Sequence, residues 1–563
     1  MSYIPETTVA RPLLALTNPS HPGPRRRASR RARILVFVGL ALFIVLAGGV
    51  YLGPSAGIPI PERFAPYYSS PAPRPPPPLG AQNPGPNIHD FPTAADVPPP
   101  AHQITADADK AVDALLSSQP PTLPAARARY ALRTGRSPPR GFDAFYAFAK
   151  ERGCLVEGYS AVERDFAPFW RAEGLQKGWF RERVRVMEGK LTPDAHGVAA
   201  LAIRDGKVQR PENGATYFDG DWENTINKFA THLPALTVLI NGRDEPRVVY
   251  DVGGLFDEPP TLPAPPTDPT PFALAPPSTR AFFTDPARRD VCRPARGRGR
   301  VEDVSFLLSA SSAEFTTDLV PVLSMAKIAD PSTGSIGGGS CFADVLVPGE
   351  FYYRNSWWAG KFEYPNNVRW EDKKDVLYWR GKSNGGHIRG TIYKTFPRFR
   401  LVELAARPEN VEKGLFDVRM TAWHESHCTD DCTAAPIIAA YNISSEVVPR
   451  EEAYGYKYLL DVDGNTFSGR YLGLLRSGGL VFKSTAFTEF FTPWLVPYEH
   501  FIPVRPDLAD LTAKIEWARA NDAEARRIQE AGRVFAERIL TDAQNDCYWF
   551  AVMLEWGALW GEE

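Results

Sequence analysis

The chain has 563 residues, of which 44% are hydrophobic and 12% aromatic, so it can bury large cores and is long enough for two or more domains. Its 64 basic residues nearly balance its 66 acidic ones, which gives a net charge of -2. That balance excludes the overall basic field of a protein that binds nucleic acid in bulk.

The start of the chain predicts a basic cytosolic tail, residues 1–33, and a transmembrane signal anchor, residues 34–53. The tail carries seven arginines, six of them between Arg25 and Arg33. The next 20 residues are uncharged, and a helix of that length would span about 30 Å, the thickness of a bilayer core. The long arginine-rich leader favours an anchor over a cleaved signal peptide. The positive flank then predicts a single-pass type II protein whose remaining residues face the lumen.

Residues 54–135 are predicted to form a stalk and connector. Of the chain's 54 prolines, 16 fall between residues 54 and 100, a composition typical of an extended spacer. A basic tail, one span and a stalk are typical of a resident Golgi enzyme, although surface receptors share this arrangement. All six cysteines follow the span, where an oxidising lumen permits disulfides, but the sequence leaves their pairing open. Asn442 begins an N-glycosylation sequon, which fits a luminal chain.

Residues 136–370 are predicted to form a first lobe of the folded part. Within it, the apolar run 236–240 predicts a buried strand, and the polar segment Asn241–Arg247 follows at once. In α/β sheets ligands bind at the carboxyl ends of strands, so this polar segment is a candidate ligand site. The alternative is an ordinary turn with solvated charges.

Residues 371–510 are predicted to form a second lobe with two further strand-to-loop sites. A strand at 376–379 opens into a glycine-rich, basic loop containing Arg380, Gly381 and Ser383, whose guanidinium and N–H groups could meet phosphate oxygens.

The second of these sites follows a strand at 458–463. The loop after it leads into a helix at 468–475 and a strand at 480–483. This crossover aims the helix N-terminus at the same sheet edge, so Ser468, Gly469 and Arg470 are candidates for holding a diphosphate.

Other candidates lie further along the second lobe. Glu489, a carboxylate among aromatic residues, could accept hydrogen bonds from ribose hydroxyls or lie exposed on a helix. Asp461 and Asp463 have the spacing of a manganese-binding Asp-x-Asp motif, but structural residues at a strand end are the favoured interpretation. From Asp507 onward the pattern is helical, and the helices at 511–563 are expected to brace the lobes.

Two histidines and two cysteines lie close together within the predicted second lobe. These residue types can bind zinc. The oxidising lumen instead favours disulfides for the cysteines, with partners left open, and surface positions for the histidines. The cluster consists of His424, His427, Cys428 and Cys432.

Several motifs resemble those of family 90 glycosyltransferases, the group that contains fungal capsule-associated xylosyltransferases and animal protein O-glucosyltransferases. They are Trp379-Arg380-Gly381, the stretch 456–470, and the stretch 481–504 with its segment Pro497-Tyr498-Glu499-His500-Phe501-Ile502-Pro503-Val504. The resemblance covers roughly residues 140–550. Asn241–Pro246 also looks like the family's Asn-x-Arg-Asp-x-Pro stretch, which carries its catalytic aspartate.

The resemblance implies an α/β protein with a GT-B-like pair of Rossmann-type lobes, a UDP-sugar donor held mainly by the second lobe, and inversion at the anomeric carbon. Asp244 would be the base, with Glu245 beside it as an unresolved rival, and Arg380 and Arg470 would face the diphosphate. We expect transfer of xylose or glucose to a glycan or glycoprotein acceptor in the Golgi, with no nucleic-acid partner. No cofactor is firmly predicted, and manganese stays open. The alternatives are a noncatalytic luminal sugar-binding module on the same fold and a membrane-anchored glycoside hydrolase.

Overall fold

A computed structural model of the protein describes residues 101–209, 216–248, 319–328, 342–354, 356, 368–388, 390–425, 428 and 432–561. The predicted tail, membrane span and proline-rich part of the stalk lie outside these residues. A search of the described part of the chain finds no helix with the length and apolar character needed to cross a membrane.

The described residues alternate helices with short strands. The strands are β1 Val198–Arg204, β2 Lys207–Gln209, β3 Leu236–Asn241, β4 Leu323–Ser324, β5 Ala326–Ile328, β6 Val345–Leu346, β7 Lys374–Lys382, β8 Phe416–Ala422, β9 Tyr456–Val462, β10 Leu480–Ser484, β11 Phe487–Glu489 and β12 Ile502–Val504. The helices are α1 Ala101–Ser117, α2 Leu123–Thr134, α3 Phe142–Arg152, α4 Ser160–Leu175, α5 Trp179–Glu188, α6 Pro193–His196, α7 Asp219–Ile226, α8 Pro397–Ala405, α9 Pro408–Glu412, α10 Ala434–Ala440, α11 Tyr471–Arg476, α12 Leu511–Ala520, α13 Asp522–Arg538 and α14 Asp542–Trp560. Single 3-10 turns lie at Ala230–His232, Glu350–Tyr352, Trp370–Asp372, Ile392–Thr395, Arg450–Gly455 and Thr492–Trp494.

The first five-stranded sheet has the order β2-β1-β3-β4-β6. Its edge is a hairpin, because Asp205 and Gly206 between β1 and β2 both have positive φ, 52° and 70°, as a two-residue hairpin turn requires. Strand β1 is antiparallel to β2 and β3, whereas β3, β4 and β6 are parallel to one another. The sheet is therefore mixed, and only its β3-β4-β6 part has the parallel arrangement that a Rossmann-type lobe predicts.

The second five-stranded sheet is parallel throughout, in the order β12-β10-β9-β7-β8. Every residue of β9 and β10 is buried, as expected for parallel strands covered on both faces. From β7 the chain adds β8 on one side and then returns to add β9 on the other. The strand order thus reverses between β7 and β9, and such a switch point opens a crevice at the carboxyl ends of the strands.

The apolar runs that predicted strands at 236–240, 376–379, 458–463 and 480–483 correspond to β3, β7, β9 and β10, which confirms these predictions. The predicted order of strand, loop, helix and parallel strand is also confirmed, with α11 between β9 and β10. One alternative is wrong: Glu489 is not an exposed helix residue but the fully buried end of β11.

Helices from both ends of the described chain pack on this framework. Helix α1, within the segment predicted to be a connector, contacts α13, and the Arg538 guanidinium lies 3.1 Å from the Asp109 carboxylate. Helix α14 packs against the first sheet, where the Trp556 indole N–H donates to the Thr237 carbonyl at 3.0 Å. All described residues belong to one compact unit.

Two disulfides join described cysteines, Cys154 to Cys547 and Cys428 to Cys432, with sequence separations of 393 and 4 residues. A cross-link that closes a longer loop removes more conformational freedom from the unfolded chain. We expect replacement of Cys154 and Cys547 by alanine to lower the free energy of unfolding by about 2–5 kcal/mol. Denaturant titration of the full chain measures this change.

The double replacement of Cys428 and Cys432 by alanine is the matched control, because the short loop it opens limits the entropic loss to about 2 kcal/mol at most. A larger loss of stability in this control than in the Cys154 and Cys547 variant would contradict the assignment of the main structural cross-link.

Candidate active site

The loop after β3 is held by its own side chains. The Asn241 side chain accepts a hydrogen bond from the Arg243 N–H at 2.9 Å and donates one to the Glu245 carbonyl at 2.8 Å. Its amide group therefore closes the turn that carries Asp244, so the segment has a fixed shape before any ligand binds.

The structure separates the two neighbouring carboxylates of this loop. Glu245 is 1% exposed and its carboxylate lies 3.7 Å from the equally buried guanidinium of Arg247. Asp244 is half-buried. Only Asp244 is therefore available to a ligand at the loop surface, and the pair does not form the two facing carboxylates that a glycoside hydrolase needs.

A buried ionic network supports the loop from below. The Asp344 carboxylate accepts hydrogen bonds from the N–H groups of Arg247 and Val248 at 2.8 and 2.9 Å. The Lys327 ammonium donates to the Asp344 carbonyl at 2.8 Å and to the Asp165 carboxylate at 2.7 Å. These groups are nearly inaccessible to water, so they fix the position of the Asp244 loop against the first sheet.

The second sheet supplies the opposite wall of a cleft. The Asn465 side-chain N–H, in the loop after β9, donates to the Asp244 carboxylate at 3.3 Å. Burial raises the pKa of Asp244, while the Asn465 hydrogen bond and the charges of Arg247, His424 and Arg243 act to lower it. A carboxylate with a raised pKa at the junction of two sheets has the properties of a general base.

Two arginines lie together at the switch point. The guanidinium carbons of Arg398 and Arg470 lie 5.6 and 5.8 Å from the centre of the Trp379 ring. Arg398 donates to the carbonyls of Lys382 and Asp463, at the ends of β7 and β9, and Arg470 donates to the Arg380 carbonyl at 2.6 Å. Burial and the nearby charge of Arg470 lower the pKa of Arg398. Arginine is a common ligand of anions, so the two guanidinium groups at this sheet edge form a candidate anion site.

Sequence reasoning missed Arg398 because it lies in α8, outside the motifs that predicted the site. Arg398 bridges the ends of β7 and β9. These ends become neighbours only through the strand order, so Arg398 could have been found only from that order.

The Arg380 side chain does not join this pair. It lies over the Tyr378 ring, 4.4 Å from the ring centre, and its guanidinium contacts the carboxylates of Asp417 and Glu452 at 2.6 and 3.3 Å. Successive side chains of a strand point to opposite faces, so Trp379 faces Arg470 and Arg380 faces away. The expectation that the Arg380 and Arg470 side chains face one diphosphate therefore does not match this geometry, because Arg380 meets the site only through its backbone carbonyl.

Four smaller candidates line the same loops. A side chain at Gly381 would place a Cβ 2.5 Å from the Trp379 ring, and one at Gly469 would place it 2.8 Å from Phe351. These two glycines therefore allow close packing rather than provide a side-chain contact. The buried Ser383 hydroxyl accepts the His424 N–H at 2.9 Å. The Ser468 hydroxyl is buried without a hydrogen-bond partner among the described residues.

Glu489 lies in a buried group of charges. Its carboxylate accepts a hydrogen bond from the Tyr352 hydroxyl and lies 3.5 Å from the Lys483 ammonium, which also donates to Asp461 at 3.0 Å. Burial raises the pKa of Glu489 to about 7. Glu489 is fully buried, so its contacts are with these protein groups.

The candidate metal ligands have other partners. Asp461 pairs with Lys483, and Asp463 accepts the Ala486 N–H at 2.8 Å. Cys428 and Cys432 form a disulfide, one of the pairings that the sequence left open. His427 lies outside the described residues. Within the described ranges, no group of three or more His, Cys, Asp or Glu side chains is placed to hold a metal ion.

Comparison with known proteins finds a family match for the part of the chain that contains the second sheet and the helices after it. Residues 360–561 match the model of glycosyl transferase family 90. Protein O-glucosyltransferase 2 of Danio rerio is 29% identical over 192 residues, which cover 34% of this chain and 34% of the relative. Human Protein O-glucosyltransferase 3 is 35% identical over 101 residues, or 18% of this chain and 20% of the relative.

Human Protein O-glucosyltransferase 1 is 27% identical over 189 residues, or 33% of this chain and 43% of the relative. The chain therefore matches less than half the length of each of these three relatives. Asp244 lies before the matched family region, whereas Arg380, Arg398, Asn465 and Arg470 lie within it. The similarity to glycosyl transferase family 90 thus lies in the C-terminal part of the chain, residues 360–561.

Proposed function

We propose that the protein is an inverting glycosyltransferase that takes a UDP-sugar as donor and a glycan or glycoprotein as acceptor. The observation that carries this proposal is the contact of Asp244 with Asn465, whose neighbour Gly464 lies beside the Arg398 guanidinium: a Cβ at Gly464 would be 2.9 Å from it. The loop after β9 thus brings a base and a cationic site close together at the switch point. The names of the matched relatives favour glucose as the transferred sugar, with xylose as the second candidate.

In this mechanism the acceptor hydroxyl oxygen attacks the anomeric carbon of the donor sugar from the face opposite the UDP. Asp244 takes the hydroxyl proton as the new bond between oxygen and the anomeric carbon forms. The bond from that carbon to the diphosphate oxygen breaks, and UDP leaves with the electron pair. Arg398 and Arg470 stabilise the charge that develops on the diphosphate. The direction of attack inverts the configuration at the anomeric carbon.

We further propose that the enzyme works in the Golgi as a single-pass type II membrane protein, with the catalytic domain in the lumen. The support is the arginine-rich tail, the uncharged segment 34–53 and the proline-rich segment after it. The two disulfides suit an oxidising compartment. Protease protection of the catalytic domain in intact Golgi vesicles, lost on addition of detergent, tests this orientation.

Replacement of Arg470 by alanine tests the anion site. A hydrogen bond to a charged group is worth about 1.5–3 kcal/mol, so we expect UDP to bind about 10- to 150-fold more weakly. Isothermal titration of the full chain with UDP, with and without manganese, measures this change. Arg419→Ala is the matched control, because Arg419 is exposed on β8 and pairs with Glu446 at 3.3 Å.

The control should bind UDP as the unchanged protein does. Equal UDP affinity in Arg470→Ala and Arg419→Ala, with both variants folded, would contradict the assignment of the diphosphate site.

A further inference from the structure

The side chain of Asn465 connects the two walls of the cleft. It follows β9 in the second sheet, and its amide nitrogen lies 3.3 Å from the Asp244 carboxylate of the first sheet. The loop that carries it is tight, since the Gly464 N–H donates to the Thr466 carbonyl at 2.8 Å. The position of Asn465 is therefore set by the end of β9 rather than by Asp244.

This contact fixes the orientation of the Asn465 amide. Turning the group over would place its oxygen against the oxygen of the Asp244 carboxylate, and two acceptors repel each other. The amide nitrogen therefore points at Asp244, and the amide oxygen points elsewhere in the crevice. That oxygen is buried and has no hydrogen-bond partner among the residues that the structure describes.

A second amide oxygen in the same crevice has the same property. The Asn384 oxygen, in the loop after β7, is also buried without a partner within the described ranges. The two loops adjoin, because a Cβ at Gly464 would lie 3.6 Å from the Asn384 Cβ and 2.9 Å from the Arg398 guanidinium. Two buried acceptors beside a cationic site lose hydrogen bonds to water that a ligand must replace. Hydroxyl groups of a sugar are donors of the required kind.

We propose that Asn465 is a positioning residue for the transfer: its amide nitrogen fixes the Asp244 carboxylate, and its amide oxygen, with that of Asn384, accepts hydroxyl groups of the transferred sugar. This inference rests on the proposed function and adds to it the residues that bind the hydroxyl groups of the transferred sugar. Asn384 and Asn465 lie on the loops next to Arg398, which places them nearer the donor sugar than the acceptor.

The hydrogen bond from Asn465 also acts on the protonation of the base. Among the described residues, the titratable or charged groups that act on Asp244 include Arg243 and Arg247 in its own loop and His424 after β8. Removing the Asn465 N–H removes one of the contributions that lower the pKa of Asp244, so that pKa rises. As the pH is lowered, kcat of Asn465→Ala should therefore begin to fall at a higher pH than kcat of the unchanged protein. This fall is the acidic limb of the pH profile. A purely structural role would not move this limb.

The experiment measures, on the full chain, the pH profile of kcat and the affinities for UDP and for the UDP-sugar that is turned over. We expect Asn465→Ala to lower kcat about 10- to 150-fold and to shift the acidic limb upward. Asn465→Asp should shift the limb further, since it adds a negative charge beside Asp244. Asn384→Ala should leave the limb in place and weaken the UDP-sugar about 10-fold while UDP binds unchanged.

The exposed asparagine Asn521, which lies between α12 and α13, provides the matched control as Asn521→Ala and should change none of these values. The inference is overturned if the acidic limb does not move in either Asn465 variant, or if Asn384→Ala loses affinity for UDP and for the UDP-sugar equally. In either case, sugar transfer by the unchanged protein would still uphold the proposed function. A full chain that neither binds UDP nor transfers any sugar overturns both.

Discussion

Replacement of Asp244 by asparagine is expected to abolish sugar transfer while donor binding persists. Asparagine keeps the size of the side chain but cannot take the proton of the acceptor hydroxyl, and a general base contributes about 10²- to 10⁴-fold to the rate. The loss should appear in kcat, because the arginines that hold the diphosphate are unchanged. Initial rates and UDP affinity of the full chain separate the two quantities.

The raised pKa of Asp244 adds a pH dependence to this prediction. Burial raises that pKa, so the carboxylate form, which is the base, is lost at a higher pH than for an exposed aspartate, whose pKa is about 3.9. The rate of the unchanged protein should therefore fall as the pH is lowered through the raised pKa, and recover when the pH is restored.

Asp205→Asn is the matched control for this loss, since Asp205 is exposed in the hairpin turn of the same sheet and has a φ of 52° that asparagine also adopts. The control should transfer sugar at the normal rate. An Asp244→Asn protein that retains a tenth or more of the normal kcat would remove Asp244 from the role of base.

Replacement of Lys327 by methionine is expected to lower the free energy of unfolding by about 3–5 kcal/mol. Lys327 is 1% exposed and pairs with the fully buried Asp165 carboxylate at 2.7 Å. Methionine fills a similar volume but removes the buried cation and leaves the carboxylate only the partly exposed Arg164 guanidinium, 3.2 Å away. Removing one partner of a buried ion pair is the most costly way to break it. Denaturant titration measures the change.

The double variant Lys327→Met with Asp165→Asn tests the cause. A neutral amide at residue 165 removes the poorly compensated buried charge and can still accept the Leu346 N–H that Asp165 accepts at 3.1 Å. We expect the double variant to be more stable than Lys327→Met alone. If both are destabilised equally, loss of packing rather than the buried charge explains the effect.

The parts of the fold that could be predicted from the sequence are the buried strands. Strands β3, β7, β9 and β10 contain continuous apolar runs because parallel strands are covered on both faces, and that signal is local. The β1–β2 hairpin also had a local signal, the Asp205-Gly206 pair, which we did not use. The strand order β12-β10-β9-β7-β8 had none, since it depends on which faces pack together.

The candidate site divides in the same way. The position of Asp244 at a strand end follows from the sequence, and so does the loop that carries Arg470. The direction of the Arg380 side chain depends on which face of β7 Trp379 occupies, a choice made by packing against the rest of the core. Arg398 and Asn465 matter only because β7 and β9 become neighbours, and no pattern along the chain shows that.

The most direct test of the central claim is the release of UDP from a panel of UDP-sugars by the full chain, with and without manganese and with candidate glycan and glycoprotein acceptors. Our account predicts that one donor, with UDP-glucose and UDP-xylose the first to be tried, yields UDP and an acceptor product of inverted anomeric configuration. If the folded protein neither binds nor consumes any UDP-sugar in the panel, the cleft between Asp244 and Arg470 is not a glycosyltransferase site.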